Sequence, residues 1–274
     1  MDKDFYKILP PRKGVSFDFK EMWDYRELLY FFIWKDIKVR YKQTAVGALW
    51  AVIQPFFTMI VFSLFFGILA KIPSDGLPYP LFYYSALLPW TFFANALIHT
   101  TNTMVENQRL ITKVYFPRIF LPLSSVLSGL LDFFVASSIL LLMMVFYGIV
   151  PHWQILYFPL FVLLTIVTAL GVGLWFSALN ALYRDFRYTV TFIVQFWMFA
   201  SPVAYPSSMV PAKWQWLYGL NPMAGIIDGF RWAVLGKGNP PGITFLVSFT
   251  IILILLGGGL IFFRKMETEI ADRV

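Results

Sequence analysis

The sequence has no cysteine and few charged residues, and both shortages restrict what the chain can do. Without cysteine there is no disulfide, no thiolate metal ligand and no cysteine nucleophile. Charged residues make up 14% of the 274 residues, whereas 59% are hydrophobic. Membrane-spanning helices are therefore the first structures to look for.

Motifs of nucleotide, metal and nucleic-acid chemistry are also missing. Gly236-Lys237 fails the phosphate-binding loop pattern, because Arg231 stands where the first glycine is needed and Gly238 where a hydroxyl is needed. The sequence contains no His-Glu-x-x-His, no Asp-rich metal motif and no Ser-His-Asp arrangement. We therefore predict that the chain is not an enzyme, binds no metal, holds no cofactor of its own and does not bind nucleic acid.

Six predominantly apolar runs approach the roughly 20 residues that cross a bilayer as a helix. They cover residues 49–70, 81–99, 120–148, 155–182, 188–204 and 243–263. Cationic flanks stay in the cytoplasm during insertion, and 18 of the 22 Lys and Arg fall in 1–48, 100–119, 183–187 and 264–274. The sequence predicts an all-α membrane protein with six transmembrane helices and both termini inside. Residues 1–48 form a cytoplasmic segment, 49–263 the six-span domain and 264–274 a cytoplasmic tail.

Two regions outside these spans have amphipathic character. Residues 16–43 are typical of one helix, with Asp18 and Glu21 at capping-box spacing, and its charged stripe predicts a helix in the inner membrane surface. Residues 205–242 lie outside yet are rich in aromatic residues. Because Asn221-Pro222 splits them into two pieces too short to span, we predict a pair of re-entrant or interfacial helices. Gly225-x-x-x-Gly229 has the small-residue spacing that permits close helix contact.

Asp132 is the one carboxylate predicted deep inside a span, and an intramembrane acid is a functional candidate because its burial is costly. His99 and His152 are expected near the outer boundary, and no Lys or Arg is expected at comparable depth. Proton coupling normally requires a partner group. We therefore expect Asp132 to make a structural hydrogen bond or to face a cavity, with proton coupling as the alternative.

Six stretches of the chain together resemble one family. They read KDIKVRYKQTAVGALWAVIQP (35–55), LLPWTFFANAL (87–97), NQRLITKVYFPR (107–118), LYRDFRY (182–188), SPVAYP (201–206) and LNPMAGIIDGFRWAVLG (220–236). The chain resembles the permease subunit of ABC-2 type exporters of bacterial cell-surface polysaccharides, and the O-antigen exporters most closely. The stretches are spread over nearly the whole chain.

The resemblance implies an inner-membrane homodimer with two copies of a separate cytoplasmic ATPase, which binds Mg-ATP. It implies export of an undecaprenyl-pyrophosphate-linked polysaccharide, most closely O antigen. Teichoic acid or capsule export by the same family remains an alternative. An ion-coupled flippase for lipid-linked sugars and a membrane glycosyltransferase are more distant alternatives, since the sequence shows neither paired intramembrane charges nor acidic catalytic motifs.

The resemblance also implies roles for particular residues. A coupling helix at about 103–118 would enter the ATPase through Asn107, Arg109, Leu110, Ile111, Lys113, Tyr115, Phe116 and Arg118. A headgroup region for the lipid-linked substrate would contain Arg40, Lys42 and Gly47, where Val46-Gly47 replaces the usual Leu-Gly. Ordinary binding of anionic lipid headgroups is the alternative for Arg40 and Lys42. Outer gate helices at about 206–240 would contain Asn221, Pro222, Asp228 and Arg231, the last two as a pair. Aromatic rings along the channel would be Phe56, Phe57, Trp90, Phe92 and Phe93, since rings can stack on sugars without many fixed hydrogen bonds.

Overall fold

A computed structural model describes residues 19–273 except 43–46, 48, 184 and 239, and the described part is helical without β-strands. The helices are α1 (Phe19–Asp24), α2 (Arg26–Tyr41), α3 (Leu49–Phe62), α4 (Tyr79–Glu106), α5 (Gln108–Ile111), α6 (Phe120–Phe146), α7 (Phe158–Leu182), α8 (Phe186–Phe199), α9 (Gln215–Tyr218), α10 (Pro222–Leu235) and α11 (Ile243–Arg273). A π-helical segment, Ser63–Leu69, extends α3, and a 3₁₀ turn, Trp153–Tyr157, precedes α7.

Five helical segments of the described chain are long and apolar enough to cross a membrane. They are Leu49–Leu69, Tyr79–Glu106, Phe120–Phe146, Trp153–Leu182 and Ile243–Glu267. Each corresponds to one of the predicted spans, which shows that run length and hydropathy located these helices. The first predicted helix, 16–43, is divided at Tyr25 into α1 and α2, and residues 16–18 and 43 lie outside the described residues.

The remaining predicted span, 188–204, does not form one helix. Helix α8 ends at Phe199, and its 14 residues cover about 21 Å, less than the roughly 30 Å of a bilayer core. The chain then turns through Pro202 to Pro206, where proline removes the backbone N–H and disfavours helix. Ser201 and Val203 are fully buried, and irregular backbone is tolerated at membrane depth only under such cover. A sixth crossing therefore stays a prediction.

Helix α4 lies at the centre of the bundle, packed against α3, α6, α7, α8 and α10. Its aromatic side chains account for much of the core, since Tyr83, Tyr84 and Phe93 are fully buried. The Tyr84 hydroxyl donates a hydrogen bond of 3.0 Å to the Ala136 carbonyl oxygen in α6. This contact satisfies the polar end of a ring that otherwise packs among apolar groups.

The Gly225-x-x-x-Gly229 pattern marks a close helix contact, as its spacing predicts. A Cβ added at Gly225 would lie 2.8 Å from the Ser248 side chain in α11, and one at Gly229 would lie 2.0 Å from the Phe161 ring in α7. Helix α10 is therefore held against both neighbours at distances that only glycine permits.

Replacing Gly229 by alanine should destabilise the protein, because the new Cβ would lie 2.0 Å from the buried Phe161 ring and the packing around that ring would have to shift. Overpacking of this kind costs about 1–3 kcal/mol, so the unfolding temperature of purified Gly229→Ala should fall by several degrees. Gly257→Ala is the matched control, because a Cβ there meets no atom within 4 Å. Equal unfolding temperatures for the two variants would contradict the close packing.

Candidate functional site: a polar cavity, the loop after α4 and a buried ion pair

A cavity of about 330 Å³ lies between the end of α2, the start of α3 and the facing surfaces of α4 and α6. Its volume falls within the range of about 300–1,000 Å³ that ligand pockets occupy. Polar side chains from all four elements line it together with apolar ones. The polar or charged members are Arg40, Tyr41, Gln54, Thr91, Asn95, His99, Ser125 and Asp132.

Asp132 has a cationic partner, contrary to the expectation from the sequence. One Arg40 guanidinium nitrogen forms an ion pair and hydrogen bond with Asp132 Oδ2, and the Tyr41 hydroxyl donates to Asp132 Oδ1. The expectation was wrong because α2 packs along α6 and brings its C-terminal end to the middle of that helix. In the structure Asp132 both accepts hydrogen bonds and lines the cavity, the two arrangements expected for it as alternatives, and its role stays a prediction.

The predicted headgroup residues separate into two groups. Gly47 lines the cavity beside Arg40, and its φ of +50° is a left-handed conformation that favours glycine. Lys42 is exposed and does not line the cavity, and Val46 lies outside the described residues. His99 lines the cavity from the C-terminal part of α4, about two turns before that helix ends. If α4 crosses the membrane from the outside to the inside, as the charge distribution predicts, this end of α4 is the inner one and the expected outer position of His99 does not agree with it.

Three contacts join α2 to α6 and to the loop after α4, and all three involve residues that precede Arg40 on α2. The Ser124 hydroxyl of α6 donates a hydrogen bond of 3.1 Å to Asp36 Oδ2. The Lys35 ammonium group donates one of 3.0 Å to Asn107 Oδ1, at the beginning of the loop after α4. The Phe32 ring packs edge-on against the Phe116 ring of that loop, with the centroids 5.4 Å apart. Helix α2 therefore contacts both the cavity and the loop.

The loop after α4 (residues 107–119) contains less helix than predicted. Of the predicted coupling helix, only the end of α4 and the single turn of α5 are helical, and residues 112–117 are not. Arg109, Lys113, Val114 and Tyr115 are exposed, the last with 76% of its surface accessible. The loop thus exposes two cations, Val114 and the ring of Tyr115 at the surface of this chain.

Other predicted coupling residues support the loop from within. Ile111 and Phe116 are buried in this chain against Phe32 and Phe120, so the expectation that they fill a partner's pocket was wrong. Leu110 packs at the edge of the same cluster. A short turn cannot direct every apolar side chain outward. The side chains of the loop that point inward pack in the buried cluster with Phe32 and Phe120.

Both ends of the loop are attached to other helices. Asn107 accepts the bond from Lys35, and the Arg118 guanidinium donates to the backbone carbonyl oxygen of Glu267 in α11. The Tyr115 hydroxyl donates a hydrogen bond of 2.9 Å to Glu21 in α1, which raises the pKa of the Tyr115 phenol. The exposed side chains are therefore carried on a fixed base.

The predicted channel aromatics lie in different environments. Phe56 and Phe57 are 37% and 61% exposed on α3. Phe92 borders the cavity, whereas Trp90 and Phe93 are buried: Trp90 packs on Phe93, and Phe93 packs on Trp197 of α8. For Trp90 and Phe93 the channel assignment is corrected to a packing role, because their rings complete the core around α4.

Asn221 joins α10 to the end of α8. Its side-chain oxygen accepts hydrogen bonds from Met223 N at 3.0 Å and from Trp197 Nε1 at 2.8 Å. Its side-chain nitrogen donates to the Ala200 carbonyl oxygen and the Ser201 hydroxyl, both at 2.9 Å. Asn221 is thus the N-cap of α10, and Pro222 follows at the first helical position, where a missing N–H has no consequence.

Asp228 and Arg231 form the predicted pair, with 3.5 Å between Arg231 Nη1 and Asp228 Oδ1. Arg231 is only 3% exposed; its guanidinium lies 3.8 Å from the Phe82 ring centroid and donates to the Pro202 carbonyl oxygen at 3.1 Å. Burial raises the pKa of Asp228 to about 6, although the charge of Arg231 opposes this shift. The pair therefore joins α10 to α4 and to the turn after α8.

Comparison with known proteins identifies relatives along almost the whole chain. The family model described as ABC-2 type transporter matches residues 27–235. The chain is 27% identical over 259 residues to the O-antigen export system permease protein RfbA of Myxococcus xanthus, covering 93% of this chain and 98% of that protein. It is 30% identical over 243 residues to a Klebsiella pneumoniae protein of the same name, covering 87% and 91%. The polysialic acid transport protein KpsM of Escherichia coli is 23% identical over 231 residues, covering 81% and 88%.

Proposed function

The chain belongs to the ABC-2 type transporter family. On that premise we propose that it is the membrane subunit of an ATP-driven exporter of a lipid-linked surface polysaccharide, and that this polysaccharide is O antigen. It is a multi-pass permease of the bacterial inner membrane. The names of its relatives support a polysaccharide substrate, and the 30% identity to an O-antigen permease favours O antigen over capsule.

The observation that carries the proposal is the construction of the loop after α4. Two cations are exposed, Arg109 within α5 and Lys113 just after it, and the exposed Val114 and Tyr115 follow directly. Neighbouring exposed apolar residues beside two cations suit a contact with a partner protein, and the attached base allows a push on the loop to reach the bundle. We assign this loop as the contact with a separate cytoplasmic ATPase that holds Mg-ATP, while this chain hydrolyses nothing.

The proposed assembly contains two copies of this chain and two ATPase subunits. A two-fold axis would form a polysaccharide path between the copies, where exposed rings such as Phe56 and Phe57 could contact sugars. The undecaprenyl-pyrophosphate headgroup would enter near the cavity that contains Arg40 and Gly47. A guanidinium suits this role because its fork binds phosphate oxygens in pairs.

An ion-coupled flippase for lipid-linked sugars is the second candidate. The paired Arg40 and Asp132 supply intramembrane charges of the kind that such a mechanism uses. The relatives' names nevertheless concern export systems, and the exposed loop after α4 has no role in an ion-coupled flippase.

Deletion of the gene in its natural host tests the proposal. Surface polysaccharide should disappear and its lipid-linked precursor should accumulate on the cytoplasmic face, with both effects reversed by a plasmid copy. Glycan analysis of the lost polymer would identify it as O antigen, teichoic acid or capsule. Unchanged surface polysaccharide without precursor accumulation would contradict the proposed function.

A further inference from the structure

We propose that Asp132 is an internal substitute for a ligand phosphate: it holds Arg40 in the empty cavity, and the phosphate groups of a polyprenyl diphosphate lipid displace it. The identity of that lipid rests on the proposed function, whereas the displacement rests on the geometry of the cavity. The Arg40–Asp132 pair is called the latch below.

The charges of the cavity lead to this inference. Arg40 and Asp132 are the two charged side chains, His99 apart, among the described residues that line it. Paired as they are, they present almost no net charge to an incoming anion. The cavity becomes a phosphate site only when Arg40 leaves Asp132, because a carboxylate and a phosphate oxygen compete for the same guanidinium donors.

The burial of the latch makes this exchange feasible. The Arg40 and Asp132 side chains keep 26% and 24% of their surface exposed, so neither is sealed in the core. A fully buried pair would strongly resist the loss of one partner. At this intermediate exposure, a ligand with more negative charge than one carboxylate can replace Asp132.

The cavity also provides room and further polar groups for a phosphate. Its volume is about 330 Å³, and Gln54, Asn95 and His99 line it from α3 and α4. Tyr41, which donates to Asp132 in the latch, lies beside Arg40 and can turn to the same ligand. Donors from three helices would thus surround a diphosphate that occupies the position of the Asp132 carboxylate.

Helix α2 connects the latch to the loop after α4. Lys35 bonds to Asn107 and Phe32 packs on Phe116, one and two turns before Arg40. A change at the latch that moves α2 therefore reaches the loop, and a push on the loop reaches the latch. Such coupling is reciprocal, so ligand binding and ATPase engagement should favour each other.

Lipid binding to the purified permease in neutral nanodiscs tests the latch. Undecaprenyl pyrophosphate should bind about tenfold more tightly to Asp132→Asn than to the unmodified protein, as expected if the latch is closed about nine-tenths of the time. Arg40→Gln should weaken binding at least tenfold. Lys38→Gln, which removes an exposed cation two residues earlier on α2, should leave binding unchanged.

Two further probes separate the sources of the phosphate. Inorganic pyrophosphate should compete with the lipid and should also bind Asp132→Asn more tightly, whereas uncharged undecaprenol should show no difference between variants. If pyrophosphate fails to compete, or if folded Asp132→Asn binds the lipid no more tightly than the unmodified protein, the latch is contradicted. Absence of binding to every variant contradicts it as well.

A cross-linking measurement leaves the latch residues intact. The chain has no natural cysteine, so Asp36→Cys with Ser124→Cys places one thiol pair where α2 meets α6. Undecaprenyl pyrophosphate should slow disulfide formation severalfold by moving α2 away from α6, and undecaprenol should not. An unchanged rate would overturn the latch even if Asp132→Asn failed to fold. None of these results changes the outcome of the gene deletion, so the two proposals can fail separately.

Discussion

Reversing two charges in the loop after α4, with Arg109→Glu and Lys113→Glu combined, is expected to abolish polysaccharide export. Both side chains are exposed and take no part in the buried cluster of Ile111 and Phe116. The variant should therefore fold and insert normally while its ATPase contact is lost. Repulsion at two interface positions costs several kcal/mol, so ATPase retention in a pull-down should fall at least about a hundredfold.

The matched control for this variant is Lys213→Glu. Lys213 is also an exposed cation, but it lies in the segment between α8 and α10, which the charge distribution assigns to the opposite membrane side. It should export normally and retain the ATPase. If cells with the double charge reversal contain normal amounts of the permease and still display normal surface polysaccharide, the loop after α4 is not needed for export.

Removing the buried cation by Arg231→Met is expected to cause the largest loss of stability. The guanidinium contacts the Phe82 ring, donates to the Phe82 and Pro202 carbonyl oxygens and pairs with Asp228. Breaking a buried pair by removing one partner costs about 3–5 kcal/mol, because the other charge is left buried. The unfolding temperature of the purified permease measures this loss. Lys237→Met, which removes an exposed cation just beyond α10, should have little effect.

The loss of stability in Arg231→Met, relative to the unmodified protein, should grow as the pH rises. The pKa of Asp228 is already raised to about 6 by burial, and the charge of Arg231 opposes that rise. Without Arg231 the folded-state pKa of Asp228 rises further. A raised folded pKa gives an acid a stabilising contribution at low pH that is lost as the pH rises through it. The unfolding temperatures of the two proteins should therefore differ less at pH 5 than at pH 8. If the difference does not change with pH, Asp228 is not the group that destabilises Arg231→Met.

The sequence predicted those features that depend on local composition. Run length and hydropathy located five long helices, and the Gly225-x-x-x-Gly229 spacing located a close helix contact. The pair of Asp228 and Arg231 followed from their separation of three residues within one helix. Each of these features is decided by residues near one another in the chain.

Features that depend on long-range packing were not predictable in the same way. Arg40 and Asp132 are 92 residues apart, and only the packing of α2 along α6 brings them together. Periodicity could not show whether Ile111 and Phe116 face a partner or this chain, because both arrangements use apolar residues. The end of α8 was missed because SPVAYP is apolar enough to resemble a span, although its prolines interrupt the helix.

Purification of the tagged permease from membranes of its natural host tests the central claim most directly. The account predicts that an ATP-binding cassette subunit copurifies in equal molar amount, that the complex hydrolyses ATP, and that the Arg109→Glu, Lys113→Glu variant loses this subunit. A folded, homogeneous permease recovered from those membranes without any ATPase, in cells that still display the polysaccharide, would contradict the account.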